Sequence, residues 1–341
     1  MEKRINSKAV ELADILEDYE HVNMTPLHVR TWLNQFPRNK QLIIISELVN
    51  VLGRTYVTKV ALHGFLKKLI HNEALTQGAP QAFWENATLL NIQNQGGSQS
   101  ELIKEFQKVM LKELKQNISV NTEKHNLIYL DDFLFSGNRV KQDMLKWLSE
   151  TNVDNITIHY VFIGWHTYGQ FSSFKEIKSE AKRLGKTFKF KGWRTPFYNL
   201  ENRKYYKNNS DVLWPVKWSD EPEVATYANA LNNKFPVELR QENKNFSSRI
   251  FSSEESRQVL EDAFLVSGAK IISYCQNPKS ILRPLGYSSF NGPGFGALVA
   301  SYRNCPNNCP LALWWGDTET ILNTNSPLSK WYPLLPRKTY G

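Results

Sequence analysis

The run Leu127-Ile128-Tyr129-Leu130-Asp131-Asp132-Phe133-Leu134 does most to limit what this chain can fold into. Its unbroken apolar opening reads as a strand buried on both faces of a sheet, the usual state of a parallel strand. Two adjacent carboxylates then stand at the carboxyl end of that strand. Phe135-Ser136-Gly137-Asn138-Arg139 follows as a short loop, and Lys141 to Ser149 resumes helical spacing with Met144, Leu145 and Leu148 on one side. In open parallel sheets ligands bind outside the carboxyl ends of strands, and a helix start offers N–H groups and a positive dipole end to an anion. Acids that grip hydroxyls beside a loop that grips a phosphate suit a phosphorylated sugar. The plainer reading is a strand whose acids cap the next helix. The order strand, acids, glycine loop, helix weighs toward the ligand site.

The segment resembles the ribose-phosphate-binding motif of the type I phosphoribosyltransferases: apolar strand, two acids, two apolar residues, a turn rich in Thr, Ser and Gly, then a helix. The resemblance implies that Asp131 and Asp132 contact the ribose hydroxyls of phosphoribosyl pyrophosphate, bound with Mg²⁺, while Phe135, Ser136, Gly137, Asn138 and Arg139 wrap its 5′-phosphate. Phe135 stands where a small hydroxylated residue is common, and Arg139 where Thr or Ser usually closes the loop. Arg139 offers a charge-assisted bond in exchange. Ala297 to Tyr302, Arg303 to Pro310, Leu311 to Trp315, Arg283 to Tyr287 and Trp32 to Phe36 resemble phosphoribosyltransferase-like proteins of bacterial antiphage conflict systems, among them retron effectors linked to reverse transcriptases. The resemblance implies a mostly parallel α/β sheet and a defence effector that transfers or hydrolyses a ribosyl group. The departures at Phe135 and Arg139 keep a second reading open: a nucleotide-sensing or nucleic-acid-associated scaffold without catalysis, in a reverse transcriptase–nucleic acid complex or an oligomer.

Two further positions are candidates for the same crevice. Ala87 to Ile92 reads as an early strand, and Gly96, Gly97, Ser98 and Gln99 lie between it and a helix from Glu101 to Leu114. In the resembled fold a loop at this place holds pyrophosphate; on the residues alone, a turn with a serine cap is an equal reading. His166 ends a later strand from Ile156, where an imidazole could hold phosphate or act as a base, or simply leave the strand as a polar residue. From Lys186 to Lys207 cations alternate with aromatics. Such interleaving can stack bases, but Phe188 and Phe190 turned inward with lysines outward explains it as well.

Residues 1 to about 75 are helical in period: Val10 to Leu16, a helix opened by Thr25-Pro26, Gln41 to Leu52, and Lys59 to Ile70. Gln77-Gly78-Ala79-Pro80 is the expected boundary, giving a helical subdomain over 1–78 and an α/β domain over 79–341. The polar stretch 215–253 reads as an insertion or lid. Short apolar segments at Asp211 to Trp214 and Lys270 to Ser273 read as added strands. No apolar run reaches the ~18 to 20 residues that cross a bilayer, and the first residues lack an apolar signal region, so the expectation is a cytoplasmic protein without membrane contact. Cys275, Cys305 and Cys309 are too sparse for a disulfide framework and read as ordinary thiols. A net charge of +9 favours phosphate-bearing partners without choosing among them.

Overall fold

A computed structural model describes residues 1–93, 97–202, 210–232, 236–242, 248–318 and 326–337. The chain opens with helices α1 (Glu2–Ile15), α2 (Pro26–Leu33), α3 (Arg38–Thr55) and α4 (Lys59–Ile70), then the short α5 (Glu73–Thr76) and α6 (Pro80–Glu85). Strands and helices then alternate: β1 (Ala87–Leu89), α7 (Ser98–Leu114), β2 (Ser119–Val120), β3 (Asn126–Leu134), α8 (Asn138–Glu150), β4 (Thr157–His166), α9 (Thr167–Arg183), β5 (Lys189–Trp193) and β6 (Asn199–Leu200). Helices α10 (Pro222–Asn232), α11 (Glu254–Ser273) and α12 (Leu311–Trp314) follow. The chain forms two compact units, Val60–Leu200 and Met1–Lys59 with the described residues from Glu201 onward.

Val60–Leu200 holds the sheet. Its strands run in the order β2-β1-β3-β4-β5, with β6 also paired to β4, and every pairing is parallel. This is the α/β architecture that the buried strand called for. Leu127, Ile128, Tyr129 and Leu130 are all at most 2% exposed, which requires cover on both faces. Val140, Met144 and Leu148 of α8 and Phe174, Ile177 and Ala181 of α9 join Tyr129, Tyr160 and Phe162 in one core. Right-handed crossovers put α7, which runs back toward β2, on the other face. There its Phe106 meets Trp84, whose indole donates to the Ile70 carbonyl at 2.9 Å. The turn Gln77-Gly78, both left-handed with φ of 55° and 78°, falls inside this unit between α5 and α6.

The second unit is built around α11. Its buried residues, among them Leu260, Phe264, Ser267, Gly268 and Ile271, occur all round the helix, so it carries no one-sided stripe. That explains Lys270 to Ser273, expected as a strand and found as the last turn of α11. Asp211 to Trp214 is not a strand either: it is irregular chain, tied by Leu213 N–H to the Gly296 carbonyl at 2.8 Å. Short apolar segments of four residues fit helix, strand or buried loop alike. The stretch expected as an insertion contributes α10 and Arg240, whose side chain is fully enclosed. Bonds between distant residues close the unit: Trp32 Nε1 to the Ala312 carbonyl (2.7 Å), Thr55 Oγ1 to Leu298 (2.6 Å) and Tyr19 OH to Pro336 (2.8 Å).

Candidate functional site

Strand order 2-1-3-4-5 changes direction between β1 and β3, the place outside the carboxyl ends of the strands where open α/β sheets bind ligands. Both expected ligand loops start there. Asp131 is 7% exposed; its Oδ1 accepts the Asp132 N–H at 2.9 Å and its Oδ2 accepts from Gln93 Nε2 at 2.8 Å. The Gln93 bond spans the crevice from the chain after β1. Asp132 is half-buried and accepts the Phe133 N–H at 2.7 Å through Oδ1. Neighbours on a strand point to opposite faces, and Asp131 shares the face of Tyr129 and, in register on β4, Phe162. Burial, then the charges of Asp131 and Asp143, holds the Tyr129 phenol well above its ordinary value, so it stays protonated.

The loop after β3 is shaped by backbone approach. Gly137 has φ of 74°, and a Cβ there would lie 2.5 Å from Ser173 Oγ and 2.7 Å from the Gly169 carbonyl on α9. Only glycine fits that seat. Phe135 is buried, its ring 5.9 Å from Phe133 and 5.4 Å from His166. Ser136 and Asn138 are half-buried and Arg139 is exposed. The first turn of α8 has neither a side-chain cap nor an acid. Ser136 Oγ accepts the Asn138 N–H at 3.4 Å, and a helix start without an acid is more favourable beside an anion than alone. His166 has no exposed surface, and burial, offset by the Leu134 carbonyl, brings its imidazole down to about 3. It is therefore neutral, and its ring packs against Phe135 of the loop.

The loop after β1 is partly described. Gly96 lies outside the described residues. Gly97 caps α7 with φ of −99°, and Ser98 begins the helix. Gln99 is completely buried: its Oε1 accepts from the N–H groups of Ile92 (3.1 Å) and Gln93 (3.2 Å), and its Nε2 donates to the Leu130 carbonyl at 3.3 Å. Gln99 thus clamps the loop onto β3, and Gln93 carries the contact with the acids. Nothing in the sequence separates these two glutamines from surface amides. Their roles depend on β1 lying beside β3.

A family model, PRTase-CE, matches residues 29–337, a span that takes in both loops and most of each compact unit. The chain belongs to the PRTase-CE family. It is accordingly a phosphoribosyltransferase-like protein. Comparison with curated proteins and with solved structures gave no match. The matched span begins within α2 and takes in α11, so the PRTase-CE match covers residues of both compact units.

Elsewhere in this PRTase-CE chain other polar groups have structural places. His159 accepts the Trp193 indole N–H at Nδ1 (3.0 Å), so its Nε2 carries the proton toward Asn126 Oδ1 (3.2 Å), and burial lowers its imidazole to about 4. Phe188 and Phe190 pack on the sheet core while Lys189 and Lys191 are exposed, as alternation requires; Arg203 to Lys207 lie outside the described residues. Cys305 and Cys309 are buried thiols, with Cys309 Sγ 3.2 Å from the Val299 carbonyl. Among the described residues no group of three or more His, Cys, Asp or Glu gathers as a metal site, and no helix is long and apolar enough to cross a membrane.

Proposed function

We propose that this protein binds phosphoribosyl pyrophosphate, or a related nucleotide, at the carboxyl edge of β1 and β3 and transfers or hydrolyses its ribosyl group as an antiphage effector. The observation that carries the reading is the Gln93–Asp131 bond across the point where strand order reverses. It ties the two loops that would enclose a sugar phosphate, beside an acid-free helix start with Arg139 exposed. Membership of PRTase-CE supports the ligand class. The defence role is supported only by the resemblance of Trp32 to Phe36 and of the tracts between Arg283 and Trp315.

In the proposed reaction the bond from the ribosyl carbon to the pyrophosphate oxygen breaks, its electron pair leaving with pyrophosphate, while an acceptor or water forms the new bond and gives up a proton. Positive charge grows on the sugar in between. Asp132 is placed to hold ribose hydroxyls and to oppose that charge; Asp131, with both oxygens bonded, fixes the edge on which Asp132 sits. The α8 start and Arg139 hold the 5′-phosphate. Mg²⁺ fits this edge as a companion of the substrate: it ordinarily keeps waters and phosphate oxygens around one or two carboxylates, and Asp132 is the carboxylate with room. Bound there, it would neutralise charge on the departing pyrophosphate.

Calorimetry with phosphoribosyl pyrophosphate and Mg²⁺ tests the pocket. The wild type should bind, and Asp132→Asn should bind at least about tenfold more weakly, the worth of a charge-assisted hydrogen bond. No heat from the wild type, or equal affinity in the variant, rejects the site. Pyrophosphate release with candidate acceptors then separates turnover from binding.

A further inference from the structure

A second concave region lies in the sheet unit and belongs to neither ligand loop. It is a groove of about 520 Å³ between α4 and the chain from Trp193 to Tyr198. Its walls carry Phe65, Trp193, Phe197 and Tyr198, with Lys68 on one side and Arg194 on the other, and no acid is among its lining residues. Phe197 is 69% exposed, a large apolar ring left in solvent. Arg194 is held in place, its guanidinium 5.1 Å from the Trp165 ring and its Nη1 donating to the Thr195 carbonyl at 2.9 Å. The neighbouring acid Glu113 is already paired, with Lys67 at 3.2 Å and His71 at 3.3 Å.

Gly64 supplies an independent observation. It sits in the middle of α4 and lines the groove, yet a Cβ built on it would meet nothing within 4 Å. Glycine inside a helix costs roughly 0.5–1 kcal/mol relative to alanine, and here no packing within the described chain requires it. A bare backbone at that place keeps room for something from outside.

The groove also has an approach. Lys189, Lys191 and Trp193 are paired to Thr157, His159 and Val161 of β4, so all three stand on one face of the sheet. The exposed lysines form a row that leads to the aromatic wall. Asp132 shares this face and Asp131 the opposite one, but neither acid is among the residues that line the groove. A row of cations longer than the groove suits a polymer of phosphates better than a single free nucleotide, and rings beside cations suit unpaired bases. We propose that this groove binds single-stranded nucleic acid, one base stacking on Phe197 within it and the flanking phosphates lying along Lys68, Arg194, Lys191 and Lys189.

Fluorescence anisotropy with a labelled twelve-nucleotide oligo(dT) tests this in the full chain. The wild type should bind with a log–log salt slope of about −3, from four phosphate contacts on a single strand. Phe197→Ala should weaken binding roughly tenfold or more. Gly64→Leu should block it while leaving the helical circular dichroism unchanged, and Lys189→Glu/Lys191→Glu should flatten the slope. Asp132→Asn should bind the oligonucleotide as the wild type does, and the groove variants should bind phosphoribosyl pyrophosphate as the wild type does, so the two sites fail separately. The proposal is overturned by no binding, by equal binding to a duplex of the same length, by a mononucleotide that binds as tightly as the oligomer, or by equal affinity in Phe197→Ala and Gly64→Leu.

Discussion

The two compact units treat buried charge in opposite ways. Around α11, Arg240 and Arg257 have no exposed side-chain surface, and Glu261 lies between them: Oε1 accepts from Arg257 Nε at 2.8 Å and from the Trp214 N–H at 2.9 Å, and Oε2 from Arg240 Nη2 at 3.0 Å. Arg240 also reaches Glu254 at 2.8 Å, and Arg257 the Val212 carbonyl at 2.7 Å. Opposite charges meet there inside the protein. At the sheet edge Asp131 takes a neutral amide and a backbone N–H, and Asp132 remains half-buried. Charge matched internally serves architecture. At the proposed ligand edge the bonds to the two carboxylates come instead from an amide and backbone N–H groups.

The largest expected effect tests the first half of that contrast. Glu261→Ala leaves two enclosed guanidinium groups without their shared carboxylate and should cost about 3–5 kcal/mol of unfolding free energy, read by urea denaturation. Asp132→Asn should change the same measurement by under about 1 kcal/mol. Similar losses in the two variants would erase the distinction.

Acid sensitivity comes next and belongs to the sheet unit. His159 and His166 have folded values lowered to about 4 and about 3, against about 6.5 in an unfolded chain. Because the folded value is depressed, each contributes stability that is complete above about pH 6.5 and shrinks as pH falls toward 4 and 3, where the unfolded chain binds the proton first. At pH 5 the loss should be about 2 kcal/mol per histidine relative to pH 7.5. Urea titrations at the two pH values check it. The double variant His159→Gln/His166→Gln should lose most of this slope, and an unchanged slope would place the titration elsewhere.

How much was legible follows from how local each signal is. β3 and the helix after its loop are written in consecutive residues, so Asp131, Asp132 and the loop to Arg139 could be placed from sequence alone. The amphipathic helices before residue 75 show the same advantage, although Val10, counted in the first apolar stripe, is 46% exposed, and Ile5 and Ala9 do the packing instead. The unit around α11 was least legible. Its partners stand hundreds of residues apart, as Trp32 does from Ala312, and α11 has no dry-and-wet pattern to read. In the site itself the same limit hid Gln93 and Gln99. A polar residue that bonds a neighbouring strand looks identical in sequence to one that bonds water.

The smallest effects come from two glycines that should respond to one substitution with opposite sign. At Gly137 an alanine must adopt φ near 74° with its Cβ 2.5 Å from Ser173 Oγ, so Gly137→Ala should lose about 2 kcal/mol or more and loosen the loop against α9. At Gly64 the backbone is helical and the space open, so Gly64→Ala should gain about 0.5–1 kcal/mol. Thermal unfolding of the two variants side by side reads both changes. A loss at Gly64 would mean that close packing, and not a vacant groove, keeps glycine there, and the sheet unit would then have one place shaped for a ligand where two are argued.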